Sequence, residues 1–241
     1  MSASSLRLVW IYPDLLSTYG DKGNLLILQR RARLRGIETE SVLVRSDEPV
    51  PDSGDIYLMG GGEDRPQILA AQRLRGDGGL PRAAESGAVV FAVCAGFQII
   101  GAEFGDDQGK PMAGLGLLDI RSGRGARRAV GEVIADVDPD LGLPPLSGFE
   151  NHQGATTVGP AARPLATVTA GIGNGAGQGF EGAYRDKIIG TYVHCPALVR
   201  NPALADHLLG LAAGGPLADV EDAYTGRLRE ERLHAVRAAA D

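Results

Sequence analysis

The stretch AVVFAVCAGFQII, residues 88–100, decides the fold of this 241-residue chain. Its first six residues are apolar without interruption, which is typical of a strand covered on both faces in a parallel sheet. After Cys94 the apolar residues are spaced for one face of a helix. The stretch therefore predicts a buried strand that turns sharply into a helix, with a cysteine at the turn.

The neighbouring segments repeat this alternation of strand and helix. Strands are predicted at residues 6–12, 40–45, 55–64 and 88–93, and helices at 23–36, 66–86 (interrupted near 76–79) and 95–104. Such alternation indicates an α/β fold, a mostly parallel sheet flanked by helices and joined by right-handed crossovers. Ligands bind these sheets at the carboxyl ends of the strands, where Cys94 and the glycines at 60–62 are both expected.

The second half of the chain reads as shorter strands with polar interleaving, separated by turns rich in glycine and proline. Those segments are 114–122, 127–137 and 164–171. A further strand is predicted at 187–194. A helix is predicted at 201–213, with Asn201 as its N-cap and Pro202 at its first position.

Composition predicts the organisation of the chain and excludes some partners. We expect one domain over residues 1–214 and a charged helical tail over 215–241, which can pack on the domain, bind a partner or fray. The formal net charge of −6 argues against a general nucleic-acid binder. No apolar run is long enough to span a bilayer, and the N-terminus reads as a first strand, so we expect a cytoplasmic protein without membrane insertion.

The cysteine content favours a nucleophile over a structural role. Cys94 and Cys195 are the only two cysteines. They make no disulfide framework, and no Cys–His cluster has zinc spacing, so no metal is expected. A lone cysteine can be a small buried apolar residue or a nucleophile, and the place of Cys94 at the turn favours the second.

The strand-to-helix corner should activate that cysteine. Small residues at 92, 95 and 96 let the chain turn sharply. The helix N-terminus is expected to favour the thiolate over the thiol. The N–H of Ala95, and one from the glycines at 60–62, can hold an oxyanion, and such donors contribute about 3 kcal/mol each in a transition state. The glycines can alternatively serve a tight turn alone.

A thiol nucleophile needs a base, and His194 is the best candidate. It ends the predicted strand 187–194, at the same edge of the sheet as Cys94. His152 can line the site. His207 and His234 lie in predicted helices and are most simply surface or packing residues.

Together these residues resemble the class I glutamine amidotransferases. That family has a cysteine on a nucleophile elbow in a G-x-C-x-G-x-Q setting, and here the elbow is AVCAGFQ, with Ala92 replacing the first glycine. A histidine follows about a hundred residues later, as in 194 − 94 = 100. Most members carry a glutamate two residues after the histidine, but Pro196 stands there. The third catalytic member is missing, as in the cobyric-acid-synthase-like branch, which is similar in using a Cys–His dyad.

The resemblance narrows to the GatD family, the glutaminase subunits of two-protein lipid II isoglutaminyl synthases. Its segments match, in order, residues 12–24, 60–64, 147–154, 174–182 and 190–198. The resemblance implies that Cys94 attacks L-glutamine, that Gly61 and Ala95 hold the oxyanion and that His194 moves the proton. It also implies a MurT-type, Mur-ligase-like partner that uses ATP in a heterodimer, so no cofactor is expected in this chain. ATP binding here is further disfavoured by the lack of a phosphate-binding loop motif.

The resemblance also implies an arginine for the α-carboxylate of glutamine. The segment ARRAVGE gives Arg128 this role, with Arg127 as the alternative one residue away. Three rival functions stay open at this stage. They are a glutaminase for corrinoid amidation, a stand-alone cysteine hydrolase of related fold, and a non-catalytic regulatory subunit.

Overall fold

The computed structural model describes residues 5–18, 20–220 and 222–240. Residues 1–4 of the predicted domain, residue 19 of the 12–24 segment, and residues 221 and 241 of the tail lie outside the described part. The boundary at residue 214 stays a prediction.

The first half of the chain alternates strand and helix as predicted. The elements are β1 (Leu6–Ile11), α1 (Lys22–Arg33), β2 (Thr39–Val44), β3 (Ile56–Met59), α2 (Asp64–Asp77), α3 (Gly79–Glu85), β4 (Val89–Val93) and α4 (Ala95–Ile100). The interruption predicted near 76–79 is the break between α2 and α3. It falls at Gly78, whose φ of +68° is a left-handed conformation that glycine adopts without steric cost.

The second half adds mostly strands and then returns to helix. Its elements are β5 (Glu103–Gly105), β6 (Pro111–Ala113), β7 (Ile120–Val137), β8 (Leu146–Val158), β9 (Ala166–Ala170), β10 (Phe180–Glu181), β11 (Ala183–Arg185), β12 (Ile188–Thr191), α5 (Ala197–Arg200), α6 (Pro202–Ala213) and α7 (Ala223–Ala240). Among the residues described, none of the helices combines the length and the apolar character needed to cross a bilayer.

The central sheet has six strands in the order β11-β12-β4-β3-β1-β2. All neighbours are parallel except β11, which is antiparallel to β12. Every residue of β3 and β4 is buried, which fits their uninterrupted apolar sequences. The predicted mostly parallel sheet is confirmed. Because β3, β4 and β12 run the same way side by side, the residues that follow them meet at one edge.

A second sheet contradicts the prediction of short strands. Its order is β10-β9-β7-β5-β6, with β8 also paired to β7. β7 is 18 residues long and β8 is 13, and they form an antiparallel ladder with a register shift between Arg124 and Ala129. Glycines in this region suggest turns when the sequence is read locally. The long antiparallel partner supplies the hydrogen bonds that keep the chain extended through them.

Several element boundaries also differ from prediction, and the strand expected over 55–64 ends at Met59, before the glycines. The helix expected over 95–104 ends at Ile100, because Gly101 is extended and packs so closely on Ile120 that a Cβ would lie 2.7 Å from its Cγ1. The N–H of Ala102 then donates to the Ile120 carbonyl at 2.9 Å, which starts β5 beside β7. The strand expected over 187–194 ends at Thr191.

Asn201 precedes α6 at the predicted position but does not cap it. Its side chain makes no cap hydrogen bond. Instead Oδ1 accepts from the Ser147 N–H at 2.9 Å, and Nδ2 donates to the carbonyls of Ser147 and Ala197. Asn201 therefore ties the start of β8 to α5, while Pro202 occupies the first helical position as predicted.

The tail helix α7 packs on the second sheet, against β7 and β9. Its half-buried Arg229 donates to the carbonyls of Arg200 and Pro145 and to Asn201 Oδ1. Of the three possibilities left open for the tail, the structure therefore has it packed on the domain.

Glu181 is a fully buried carboxylate that holds the carboxyl end of β12. It accepts hydrogen bonds from the Thr191 hydroxyl and from the Tyr192 N–H, the latter at 2.8 Å. Its Oε2 has no hydrogen-bond partner among the described residues. Burial raises the pKa of Glu181 to about 7, although the Thr191 hydrogen bond opposes this rise. The strand end that leads to His194 thus depends on a carboxyl group that is partly protonated near neutral pH.

We expect the free energy of unfolding to fall as the pH rises from about 4.5 through 7. The folded carboxyl has its pKa raised to about 7 from an ordinary 4.5, so the folded state binds the extra proton in that window. The loss should be on the order of 3 kcal/mol. Urea unfolding at pH 5 and pH 8 measures it, with Glu181→Gln as the non-ionising control. The same pH dependence in both proteins would contradict this account.

Candidate active site

Cys94 lies at the predicted corner between β4 and α4. Its φ of 53° and ψ of −105° form a strained turn that lifts the side chain to the edge of the sheet. The turn is held by the Cys94 N–H, which donates to the Thr191 carbonyl at 2.9 Å, and by the Gln98 N–H, which donates to the Cys94 carbonyl. Gly96 must be small, because a Cβ there would lie 2.8 Å from the Met59 Cβ. The corner thus has the geometry of a nucleophile elbow.

The prediction that the corner favours a thiolate is wrong for the free protein. Burial raises the pKa of the Cys94 thiol to about 12, and the nearby Asp21 carboxylate raises it further. A hydrogen bond from the Ala95 N–H lowers the pKa of this thiol, but not enough to offset burial. Helix α4 has only six residues, so its dipole lowers the pKa of the thiol only weakly. Cys94 therefore rests as a thiol, and a role as nucleophile would require a base beside it.

His194 meets Cys94 at the same edge of the sheet. β12 pairs in parallel with β4, with Thr191 opposite Val93, so the two residues follow neighbouring strand ends. The His194 N–H donates to the Phe149 carbonyl at 2.9 Å, which fixes the backbone of this turn to β8. A Cβ on Gly61 would lie 2.9 Å from His194 Cε1 and 3.5 Å from Cys94 Cβ. Thiol, imidazole and the glycine turn therefore converge on one point.

Asp21 completes this convergence, and sequence reasoning gave it no role. It is 3% exposed, and its Oδ2 accepts the Gly61 N–H at 2.6 Å. Its Oδ1 lies 3.8 Å from His194 Nδ1. The only local signal is that Asp21 lies in the 12–24 segment, whose resemblance to the GatD family carried no residue role. The Gly61 N–H, predicted to hold an oxyanion, is directed at this carboxylate in the structure.

A cavity of about 190 Å³ opens beside the corner. Its wall includes Gly62, Cys94, Ala95, Arg128, Asn151 and His152. The volume suits a small metabolite, since drug-sized ligands occupy about 300–1,000 Å³. A larger, mostly apolar cavity of about 560 Å³ lies between α7 and β7–β9 and is not lined by Cys94 or His194.

Arg128, and not its neighbour Arg127, lines the cavity. The Arg128 guanidinium donates from Nε to Asn151 Oδ1 at 2.8 Å, and its charge lowers the pKa of Cys94. The charge of Arg127 instead affects Glu150. It lowers the pKa of that carboxyl and so opposes the rise that burial causes. Of the two candidate arginines, the structure therefore places Arg128 in the cavity wall, and its role as carboxylate ligand stays a prediction.

His152 forms part of the wall as a neutral residue. Its ring stacks on Tyr192 with centroids 3.7 Å apart and planes 12° from parallel. Its Nδ1 lies 3.2 Å from the Gly154 carbonyl, and burial lowers the pKa of His152 to about 4. His207 in α6 and His234 in α7 are not brought to this edge of the sheet.

A chain of buried and half-buried polar side chains supports the wall. Gln98 lies where the family motif has its glutamine. It accepts from Gln67 at 2.7 Å and donates to the Tyr192 hydroxyl at 2.9 Å. That hydroxyl is 2.7 Å from Thr156 Oγ1, which is 2.7 Å from Ser122 Oγ. Satisfied networks of this kind rigidify their surroundings. Gln98 therefore holds Tyr192, and with it the stacked His152.

The chemistry available at this edge is nucleophilic attack on a carbonyl carbon. A buried thiol, an adjacent imidazole and backbone N–H groups are the parts that acyl transfer requires. Within the described ranges, no three His, Cys, Asp or Glu side chains are grouped so that they could hold a metal ion.

Comparison with known proteins identifies the family. The sequence model of the CobB/CobQ-like glutamine amidotransferase domain matches residues 7–202. The chain is 34% identical over 198 residues to subunit GatD of the glutamine-hydrolysing lipid II isoglutaminyl synthase of Staphylococcus aureus N315, covering 81% of this chain and 79% of the relative. The same subunit of Streptococcus pneumoniae R6 is 33% identical over 211 residues, covering 86% and 80%.

The fold has a matching solved structure. A crystal structure of a glutamine amidotransferase superposes with a TM-score of 0.58 at 20% identity, covering 85% of this chain and 98% of that chain. This likeness confirms the predicted fold, and the family match confirms the prediction of a glutamine amidotransferase. The matched residues include both Cys94 and His194. The chain belongs to the CobB/CobQ-like glutamine amidotransferase family.

Proposed function

We propose that this chain is the glutaminase subunit of a lipid II isoglutaminyl synthase. It hydrolyses L-glutamine and passes ammonia to a MurT-type ligase that amidates the D-glutamate of lipid II. The observation that carries the proposal is the convergence of Cys94, His194 and Gly61 beside a cavity that presents Arg128. The names of the relatives in Staphylococcus aureus and Streptococcus pneumoniae supply the pathway.

The reaction starts with Cys94 as a thiol. Its Sγ attacks the side-chain amide carbon of glutamine while His194 takes the thiol proton, so a buried thiolate never has to stand alone. The Ala95 N–H stabilises the oxyanion, and His194 gives the proton to the departing ammonia. Water then attacks the thioester with His194 as base, which releases glutamate and restores the thiol. A base beside the nucleophile is what a thiol pKa of about 12 requires.

Asp21 takes the place of the missing glutamate as the acid that orients His194. The imidazole becomes an imidazolium after it accepts the thiol proton, and a carboxylate 3.8 Å away stabilises that charge. The same carboxylate binds the Gly61 N–H. Gly61 can act as a second oxyanion donor only when this N–H turns from Asp21 towards the developing oxyanion.

The remaining parts of the proposal follow from the family. ATP is used by the partner and not by this chain, which needs no cofactor of its own. The two subunits form a heterodimer in the cytoplasm, where ammonia passes directly between them. Direct transfer between the subunits matters because ammonia that escapes into water is mostly protonated at neutral pH and is then not a nucleophile.

Release of ammonia and glutamate from L-glutamine tests the proposal. We expect release by the wild type, an increase with the Mur-ligase-like partner, and loss to background in Cys94→Ala, because the nucleophile is gone. The urea midpoint of Cys94→Ala should stay close to that of the wild type, which shows that it folds. Cys195→Ala is the matched control and should retain activity.

Other outcomes point to the rival functions. Full activity in Cys94→Ala would refute the assignment of Cys94 as the nucleophile. Amidation of a corrinoid, with lipid II left unamidated by the reconstituted pair, would move the chain to the corrinoid pathway. Amide hydrolysis that the partner never affects would indicate a stand-alone hydrolase.

Arg128→Ala should mainly raise the KM for glutamine. A guanidinium–carboxylate contact is made in the ground state and kept in the transition state, so its loss weakens binding without slowing chemistry. About 2 kcal/mol, or roughly 30-fold in KM, is expected for a charge-assisted pair. Steady-state kinetics measures the split. A fall in kcat with an unchanged KM would contradict the role.

Asp21→Asn should lower kcat by about 100-fold, because the imidazolium loses its stabilising charge. The change should also lower the pKa of the Cys94 thiol, since the Asp21 carboxylate raises it. Kinetics and the pH dependence of thiol alkylation measure the two effects. Asp52→Asn is the control, because Asp52 lies just before β3, at the amino ends of the strands and away from Cys94. An unchanged kcat in Asp21→Asn would remove Asp21 from the catalytic group.

A further inference from the structure

The segment FENHQG, residues 149–154 of β8, uses its two faces differently. Glu150 and His152 point inward and are buried. The Glu150 carboxylate accepts the N–H groups of Ile172 and Gly173 and so fixes the glycine-rich loop. Asn151 and Gln153 occupy the alternate face, as the period of a strand requires, and each reaches an arginine of β7.

The two arginine–amide pairs use different nitrogens of the guanidinium. Arg128 donates from Nε to Asn151 Oδ1 at 2.8 Å. Arg124 donates from Nη2 to Gln153 Oε1 at 3.0 Å. The register shift in the β7–β8 ladder falls between them, next to Arg124 on one side and Ala129 on the other. Both pairs border the cavity that contains Cys94, so they differ in geometry more than in location.

That difference affects how each arginine can bind a carboxylate. A guanidinium binds a carboxylate most strongly with two parallel hydrogen bonds. Its Nη1–Nη2 edge offers such a pair, and so does its Nε–Nη2 edge, through which Arg31 binds Asp206. Asn151 takes the Nε–H of Arg128, which leaves the Nη1–Nη2 edge for a two-bond contact, and no described residue accepts a hydrogen bond from that edge. Gln153 takes a hydrogen from Nη2 of Arg124, the nitrogen that both edges share.

We propose that Asn151 is a positioning residue that aims the Nη1–Nη2 edge of Arg128 at the α-carboxylate of the substrate. The proposal rests on the binding role of Arg128 in the proposed function. An arginine side chain has several rotatable bonds, and fixing it at Nε removes most of the orientational freedom that binding would otherwise have to freeze. Asn151 itself need not touch the substrate.

The test is the glutamine KM of Asn151→Ala, measured with the partner subunit present. We expect KM to rise about tenfold while kcat changes less than about twofold, since orientation of a ground-state contact is lost. Gln153→Ala should raise KM much less, because it releases Arg124 and leaves Arg128 held. Thr157→Ala is the control for damage to β8, since Thr157 lies further along the same face and bonds only the Arg121 carbonyl among its described contacts.

A double substitution separates positioning from direct contact. If Asn151 acts through Arg128, the variant Arg128→Ala/Asn151→Ala should have the same KM as Arg128→Ala alone. Additive effects of the two substitutions would overturn the proposal, and so would a fall in kcat without a change in KM in Asn151→Ala. A larger KM effect in Gln153→Ala than in Asn151→Ala would transfer the role to Arg124.

Calorimetric binding of glutamine keeps this test independent of turnover. A wild type that binds glutamine but releases no ammonia would defeat the proposed function. The ratio of dissociation constants for wild type and Asn151→Ala would still decide the role of Asn151. An unchanged dissociation constant in Asn151→Ala would reject the positioning role even if glutaminase activity were fully established.

Discussion

The parallel pairing of β3, β4 and β12 is the constraint on which the rest of the structure depends. Met59 aligns with Ala92 and Val93 with Thr191, so the glycine turn, the thiol and the imidazole leave the sheet at the same level. No flexible loop has to bring them together. Their approach is set by backbone hydrogen bonds between buried strands, which are among the least adjustable contacts in a protein.

Burial of this edge has an electrostatic consequence. It holds Cys94 as a thiol with a pKa near 12, and it leaves Asp21 as the carboxylate nearest to both His194 and Gly61. A negative charge there disfavours a free thiolate and favours an imidazolium. The charge therefore supports the state that follows proton transfer and penalises a reactive thiolate in the absence of substrate. Such an arrangement keeps Cys94 protonated in the free protein.

Sequence reasoning predicted the central sheet, the corner at Cys94 and the edge at which His194 lies, because continuous apolar strands and the turn after them are local signals. It missed Asp21, since nothing near residue 21 shows that its carboxylate lies beneath a glycine forty residues away. It divided β7 between two shorter strands and predicted no strand at β8, because a long ladder depends on a partner. It chose Arg128 but kept Arg127 as an alternative, because a shift of one residue reverses the face of a strand and β7 also carries an irregular register. It predicted a thiolate from the helix terminus and did not weigh burial.

Labelling by a glutamine analogue that carries a diazoketone in place of the side-chain amide tests the central claim most directly. The chain supplies its own control, because Cys195 is exposed and Cys94 is buried. A non-selective alkylating agent should therefore modify Cys195 first. The account predicts that the analogue modifies Cys94 alone, as located by peptide mass mapping, and that excess glutamine blocks the reaction. Modification of Cys195 in preference to Cys94, or labelling of Cys94 that glutamine does not slow, would contradict it.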